Sequence, residues 1–553
     1  MKKGTKKVLG LTLASSLALS AFAAADGFTK QEVRAKKPEK PMNVIMLVMD
    51  GASSSATTLA RWYKGKPLAM DEIATGGVRT FSSESAITDS APAGTALATG
   101  NKSNSGYVGV LPSLVNSPGA QKVKEKDAFR PVANVLEGAE LSGRATGIVA
   151  TSEIQHATPA AFSSHHGNRN NFSVIAEQQV YQDMEVVLGG GKSALLPESN
   201  GGTRKDGENL ISELEKENYD FVETKADLMK SRSEKIWGSF SNKALAYDMD
   251  RQTTNPDQPT LEEMTSKSLQ TLSKDKDGFF LFVEGSKPDW AAHANDPIGM
   301  ISDVLAFDNA VQKALNYAKK DGNTMVIALT DHGNSGLTIG NQNTNKNYDT
   351  TPVSAYIDPL KKAKMTLEGV TGVLKDDLSN MEEAAALYGI TDPSSDEKAK
   401  MAAAKTKAEA GVLLPKLLAN RANLGFTTGG HTGEDVFLYS YGPKKPYGMI
   451  DNTEVAEAMA KGMGFSLDKL TDELFMDASK AFKQIGATVK MDRSNANETK
   501  LIVKRGRTEA VLKADKDEMV IKGKTYELNS VIVDSNGKFY VPKQAVELLK
   551  KNS

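Results

Sequence analysis

The sequence predicts an α/β fold, a largely parallel central sheet flanked by helices, with a helical insertion and a small C-terminal α+β module. Three observations predict it. Short continuous apolar runs of strand length recur along the chain, as strands buried on both faces require. Stretches of helical periodicity separate them, the alternation that builds parallel sheets. Composition then shifts twice, near residue 360 and near residue 497.

The first strand is read at residues 44–49, with similar runs at 147–150, 279–283, 325–329 and 436–439. Helical patterns at 132–141, 261–272 and 301–318 lie between them. Residues 360–424 are rich in Ala, Lys and Glu, with Leu and Met at helical spacing, and read as an exposed helical insertion in a main domain spanning 42–490. After a polar linker at 492–499, short strands and a final helix from Lys543 make residues 497–553 a separate accessory module.

The residues at the strand ends point to function. Asp50 ends the first, Thr151-Ser152-Glu153 come after the second, Glu284 ends the third and Asp331-His332 the fourth. Ligands of open α/β sheets bind outside the carboxyl ends of the strands. A lone Asp there is ordinarily a cap or turn residue; several strands ending in metal-type ligands are harder to dismiss.

At the N-terminus, Lys2, Lys3, Lys6 and Lys7 precede a largely apolar stretch at 8–22, and Ala21-Phe22-Ala23 has the small-x-small form of a cleavage site. Residues 1–25 therefore read as a secretory signal peptide and the Lys-rich residues 26–41 as a linker. No other segment approaches the ~20 apolar residues of a spanning helix. The expected product is secreted: extracellular, at the cell surface or periplasmic.

The 553 residues hold 68 Lys and Arg against 69 Asp and Glu, a balance without the signature of a nucleic-acid partner or a polybasic membrane anchor. An anionic substrate would be gripped by a few local cations. There is no cysteine, which excludes disulfides, thiol catalysis and thiolate metal sites. Any metal must sit on His, Asp, Glu or hydroxyl oxygen.

Six histidines are available: His156, His165, His166, His293, His332 and His431. Asp289 and His293 stand four apart, on one helical face, a two-ligand clamp for Zn²⁺ or, taken alone, a surface hydrogen bond. Asp331 and His332 close a strand, and His431 lies in the Gly-rich run Thr427 to Gly433. His165 and His166 are expected to be exposed loop residues, with a place lining the pocket mouth as the alternative. Ser90, in Thr88-Asp89-Ser90-Ala91-Pro92, reads as a helix N-cap; it could also be a hydroxyl at the positive end of a helix, where phosphate is favoured. With no base nearby in sequence, its activation would fall to a metal.

Ile87 to Thr95, Val283-Glu284-Gly285 through Asp289 and His293, Thr330 to Gly333, and His431 to Asp435, together with Asp50, resemble the alkaline phosphatase family in order and spacing over roughly residues 42–455. That resemblance implies a secreted phosphomonoesterase working through a phosphoserine on Ser90, with two Zn²⁺ and one Mg²⁺ per chain. Asp289, His293 and His431 would hold one zinc, and Asp50, Asp331 and His332 the other. Asp50, Thr158 and Glu284 would hold magnesium, and Arg169, otherwise a solvated loop arginine, would clamp the phosphate. Pro92 departs from the family pattern, where a small non-proline residue is usual; at His156 some members carry Asp and at Trp290 Lys or His, and the combination here resembles other branches of the family. His156 and Trp290 put the third metal's identity and occupancy in question. Family members often pair as homodimers. The C-terminal module, over Lys522-Gly523-Lys524 and residues 537–542, resembles the small domain at the N-terminus of copper amine oxidases. Lacking His, it reads as a spacer or a cell-wall contact.

Two other readings stay open on these residues. One is a phosphodiesterase on the same metals, against which a separate Arg169 clamp argues, because it suits a terminal phosphoryl group. The other is a non-enzymatic extracellular protein that binds metal or phosphate. A sulfatase would need an arginine that the run Ser90 to Gly94 lacks.

Overall fold

The computed structural model describes residues 42–495 and 497–553; the expected signal peptide and linker lie outside them. Strand β1 (Asn43–Met49) is buried at every position, as its apolar sequence demands. In chain order come β2 (Ala74–Arg79), β3 (Ala145–Glu153), β4 (Val186–Gly190), β5 (Asp220–Val222), β6 (Ile236–Ser239), β7 (Phe279–Gly285) and β8 (Thr324–Leu329). Two short ribbons come next, β9 (Gly333–Asn334) with β12 (His431–Thr432), and β10 (Thr338–Ile339) with β11 (Leu424–Gly425). Strands β13 (Val436–Tyr441) and β14 (Gly448–Asp451) complete a ten-stranded sheet ordered β14-β2-β13-β8-β1-β7-β3-β4-β6-β5.

Register positions the site. β1 runs parallel to both β7 and β8, with Val48 opposite Glu284 on one side and Leu329 on the other. Asp50, Glu284 and Asp331 are thereby delivered to one edge of the sheet. The two faces of β1 feed two layers: Ile45, Leu47 and Met49 pack with helices Leu261–Leu272 and Pro297–Asp321, while Val44, Met46 and Val48 pack with Val135–Leu141 and Asn452–Met463.

Sequence reasoning and structure differ at several places. The run at 436–439 forms β13, which is antiparallel to β8 and β2. The chain re-enters the sheet from the β12 ribbon at the strands' carboxyl edge, without a crossover helix, and a continuous apolar run carries no direction. Thr151, Ser152 and Glu153 belong to β3 itself. Strand β2 (Ala-Thr-Gly-Gly-Val-Arg) was not expected, because its glycines hide the apolar signal. They serve close approach: a Cβ on Gly76 would stand 1.9 Å from the Gly448 carbonyl oxygen.

The expected exposed insertion is also packed. Leu360, Val370, Tyr388, Leu414 and Leu418 join the hydrophobic cluster that holds Ile45 and Leu47, and Tyr388 Oη donates to buried Asp296 at 2.6 Å. A Leu and Met stripe at helical spacing buries a face, and helix Pro297–Asp321 supplies a partner.

The last sheets begin earlier than residue 497. β15 (Met476–Asp477) pairs with the chain's final strand, and β16 (Thr488–Asp492) opens a five-stranded meander with β17 (Lys500–Arg505), β18 (Thr508–Lys513), β19 (Glu518–Ile521) and β20 (Lys524–Glu527). Strands β21 (Val533–Ser535) and β22 (Lys538–Val541) come next, then helix Lys543–Asn552. The stretch expected as a linker is thus the β16–β17 connection. Leu474, Phe475, Val531, Val533 and Tyr540 pack with Ala133, and Asp515 accepts from Gln178 Nε2 at 2.7 Å, so the module is docked on the main body.

Candidate active site

Helix Lys287–His293 carries Asp289 and His293 on one face, and the β9–β12 ribbon sets His431 opposite Asn334. Nε2 of His293 lies 3.4 Å from Asp289 Oδ2, and Nε2 of His431 lies 3.5 Å from Asp289 Oδ1. The two Nε2 atoms stand 3.2 Å apart. Each ring's Nδ1 faces a backbone carbonyl at 2.8 Å, Gly429 for His293 and Thr88 for His431. A carbonyl only accepts, so Nδ1 carries the proton and Nε2 turns its lone pair inward. Acceptors converge this closely around a shared positive charge, the arrangement that second-shell carbonyls impose on metal-binding imidazoles. In its absence the Asp289 hydrogen bond pushes His293 up to about 9.

A second group adjoins the first. His332 Nε2 lies 3.2 Å from Asp331 Oδ2 and 3.4 Å from Asp50 Oδ1, and its ring stacks on His431 at 3.8 Å between centroids. Asp331 is aimed by the Gly51 amide, which donates to its Oδ1 at 3.2 Å. Gly51 has φ +65°, and a Cβ there would meet Asp289 Oδ1 at 2.4 Å; the chain can turn between these two groups only as glycine.

The third group joins Asp50 and Glu284 to His156, with ligand atoms all within 4.8 Å of one another. Both Asp50 oxygens, Glu284 Oε1 and Asp331 Oδ2 are buried and accept no hydrogen bond among the described residues, and Thr158 Oγ1 makes none there either. Burial, and then the charges of Asp331, Asp289 and Glu284, drive the Asp50 carboxyl well above its ordinary range. Burial likewise pushes Glu284 up to about 8. Carboxylates crowded in a buried crevice suit hard cations, and the imidazole-bearing groups suit zinc.

Ser90 opens helix Ser90–Thr99, with Asp89 in the N-cap position and Pro92 inside the first turn, where proline costs no backbone bond. Ser90 Oγ lies 3.2 Å from His332 Nε2. Arg169 reaches the same mouth: one Nη pairs with Asp89 at 2.5 Å and the other donates to His156 Nε2 at 3.2 Å. Burial opposes ionisation of Asp89, but the Arg169 charge and the Gly106 amide hold its carboxyl below the usual range.

The family model for alkaline phosphatase matches residues 41–465. The chain belongs to the alkaline phosphatase family. Alkaline phosphatase 3 of Bacillus subtilis is 34% identical over 498 residues, covering 86% of this chain and all of that protein. The structure of Thermus thermophilus alkaline phosphatase covers 77% of this chain and 92% of its own, at 26% identity and a TM-score of 0.67. A variant alkaline phosphatase of the Antarctic bacterium TAB5, solved with Mg bound in its M3 site, is 25% identical, covering 77% and 99% with a TM-score of 0.55.

Against the alkaline phosphatase pattern, His156 and Trp290 form an edge-to-face pair with centroids 5.7 Å apart. Burial and the Arg169 charge push His156 down to about 4. Nearly buried Lys287 places its Nζ 4.6 Å over the Trp290 ring and 3.2 Å from Glu368. His165 is not the exposed loop residue expected. It is buried against Phe475, with Nε2 2.9 Å from Glu137 and Nδ1 2.8 Å from the Gly109 carbonyl. Sequence reasoning also passed over Asp89, whose place before Ser90 could have marked it, and Asn334, which donates to Asp289 Oδ1 at 2.7 Å. Nothing in its local sequence distinguished Asn334.

Proposed function

We propose that this alkaline phosphatase hydrolyses phosphate monoesters to an alcohol and inorganic phosphate through a phosphoserine on Ser90, outside the cytoplasm. The observation that carries the reading is the position of the Ser90 hydroxyl, buried at a helix start beside His332 and facing three converging ligand groups. Asp289, His293 and His431 would hold one zinc, Asp50, Asp331 and His332 a second, and Asp50, Thr158 and Glu284 a magnesium, with Asp50 shared. These ions, when bound, supply the positive charge that acidifies the serine hydroxyl and stabilises the departing ester oxygen.

The chain's own residues do the rest. Arg169, anchored through Asp89, grips two non-bridging phosphate oxygens with its planar fork. The backbone amides at the start of helix Ser90–Thr99 favour the same anion. Ser90 Oγ bonds to phosphorus as the ester oxygen leaves with the alcohol; water then displaces Ser90 and releases phosphate. A phosphodiester has only two non-bridging oxygens and cannot offer two to Arg169 and a third to the cations, which favours the monoester.

Acid quenching of an aryl monophosphate reaction followed by peptide mass spectrometry tests this directly. A phosphate on Ser90 is expected, and a phosphate on another residue, or diester turnover exceeding monoester turnover, would overturn the reading. Arg169→Ala should raise KM for the monoester and Ki for phosphate by about 10–100-fold, the worth of one or two charged hydrogen bonds. The effect on kcat should be smaller. A kcat loss with Ki unchanged would remove Arg169 from phosphate binding.

A further inference from the structure

The module at residues 476–553 holds sixteen Lys and Arg against ten Asp and Glu, within a chain balanced as a whole at 68 against 69. The excess is concentrated at one end. β17 turns through Gly506 and Arg507 into β18. β18 pairs antiparallel with β19, Ala510 opposite Ile521, so the β19–β20 turn at Lys522-Gly523 stands at the same end. Two helices finish there as well. Arg505 Nε donates to the Ile485 carbonyl at 2.8 Å, just past helix Ala478–Gln484, and Lys522 Nζ to the Asn552 carbonyl at 2.7 Å. Lys483, Lys504, Arg507, Lys522, Lys524 and Lys551 are thus all exposed on one pole. Glu509 at this end is paired with Lys504 at 3.2 Å.

The other end of the same strands is the docked one. Asp515, just after β18, accepts from Gln178, and Lys516 reaches Tyr181 Oη at 3.0 Å and Glu177 at 3.4 Å. β18 therefore runs from a free basic tip to an anchored base, roughly 20 Å at ~3.3 Å per residue. Of the module's large apolar side chains only Met491 is exposed among the described residues, and it pairs with Leu501 at the docked end. A surface that sits in a bilayer presents apolar side chains along with its cations; this pole does not.

We infer that this pole is a docking surface for an extended polyanion built of phosphodiester repeats, held by many separate charge contacts while the catalytic crevice stays free. Phosphodiesters keep their charge at every pH at which the protein folds. They offer Arg169 no terminal phosphoryl group, so such a polymer holds the enzyme without being consumed. The charge argument is independent of the reaction assigned to Ser90.

The test uses the full chain and a fluorescently labelled poly(glycerol phosphate) as probe. Two quadruple variants lose equal charge: Lys504→Gln, Arg507→Gln, Lys524→Gln and Lys551→Gln at the pole, and Lys216→Gln, Lys361→Gln, Lys398→Gln and Lys461→Gln on the main body. The wild type and the body variant should bind with salt-sensitive affinity, and the pole variant about tenfold or more weakly. Aryl phosphate turnover should stay the same in all three. Equal loss in both variants, no binding by the wild type at low salt, or binding to phosphatidylglycerol vesicles but not to the polymer would each overturn the inference.

Discussion

Ser90→Ala is expected to slow aryl phosphate turnover by at least ~10⁴-fold, the scale on which loss of a covalent nucleophile registers. The variant should fold normally, because alanine is accommodated at the first position of helix Ser90–Thr99 and the removed hydroxyl's hydrogen-bond contact among the described residues is His332. It should also keep most of its affinity for inorganic phosphate, since Arg169 and Asp89 are untouched. Turnover and equilibrium phosphate binding by calorimetry, run side by side, separate these effects. Activity within about tenfold of wild type would mean that another group attacks phosphorus.

Chelation should act on stability as well as on rate. Without cations, Asp50 lies buried beside Asp331, Asp289 and Glu284, and their charges raise its carboxyl pKa after burial has done so. Cations that bind only the folded chain add RT ln(1 + [L]/Kd), about 2.7 kcal/mol at a hundredfold excess over Kd. Stripping Zn²⁺ and Mg²⁺ should therefore abolish activity and lower the thermal midpoint by several degrees, on the order of 5 °C, and both should return on re-addition. Asp50→Asn should behave in the opposite sense in the two states. It removes one of several crowded charges, so the stripped variant should melt no lower than stripped wild type, yet gain little when metal is restored. Equal midpoints for stripped and loaded wild type would argue against metal in these groups.

Much of this was legible in the sequence, for identifiable reasons. Strands buried on both faces announce themselves as unbroken apolar runs, and β1, β7 and β8 did so. Asp50, Glu284, Asp331 and His332 were legible because an ionisable residue directly after such a run has few structural uses. β2 was not, since its glycines trade side-chain signal for backbone proximity where Gly76 meets the Gly448 carbonyl, and β14 is only four residues long. The direction of β13 depends on the route of the chain, which hydrophobic pattern does not encode. His165 was misjudged because its partners, Glu137, Gly109 and Phe475, come from distant segments.

The β9–β12 ribbon has a consequence for biogenesis. His431 reaches Asp289 and His293 through the pairing of β12 with β9, and β12 follows the helices at 360–424 in the chain. A chain still emerging, or cut short before that pairing, owns two members of the first ligand group and cannot close it. Metal binding and folding are thermodynamically linked, so a cation held at that group would favour the state in which β12 has paired with β9.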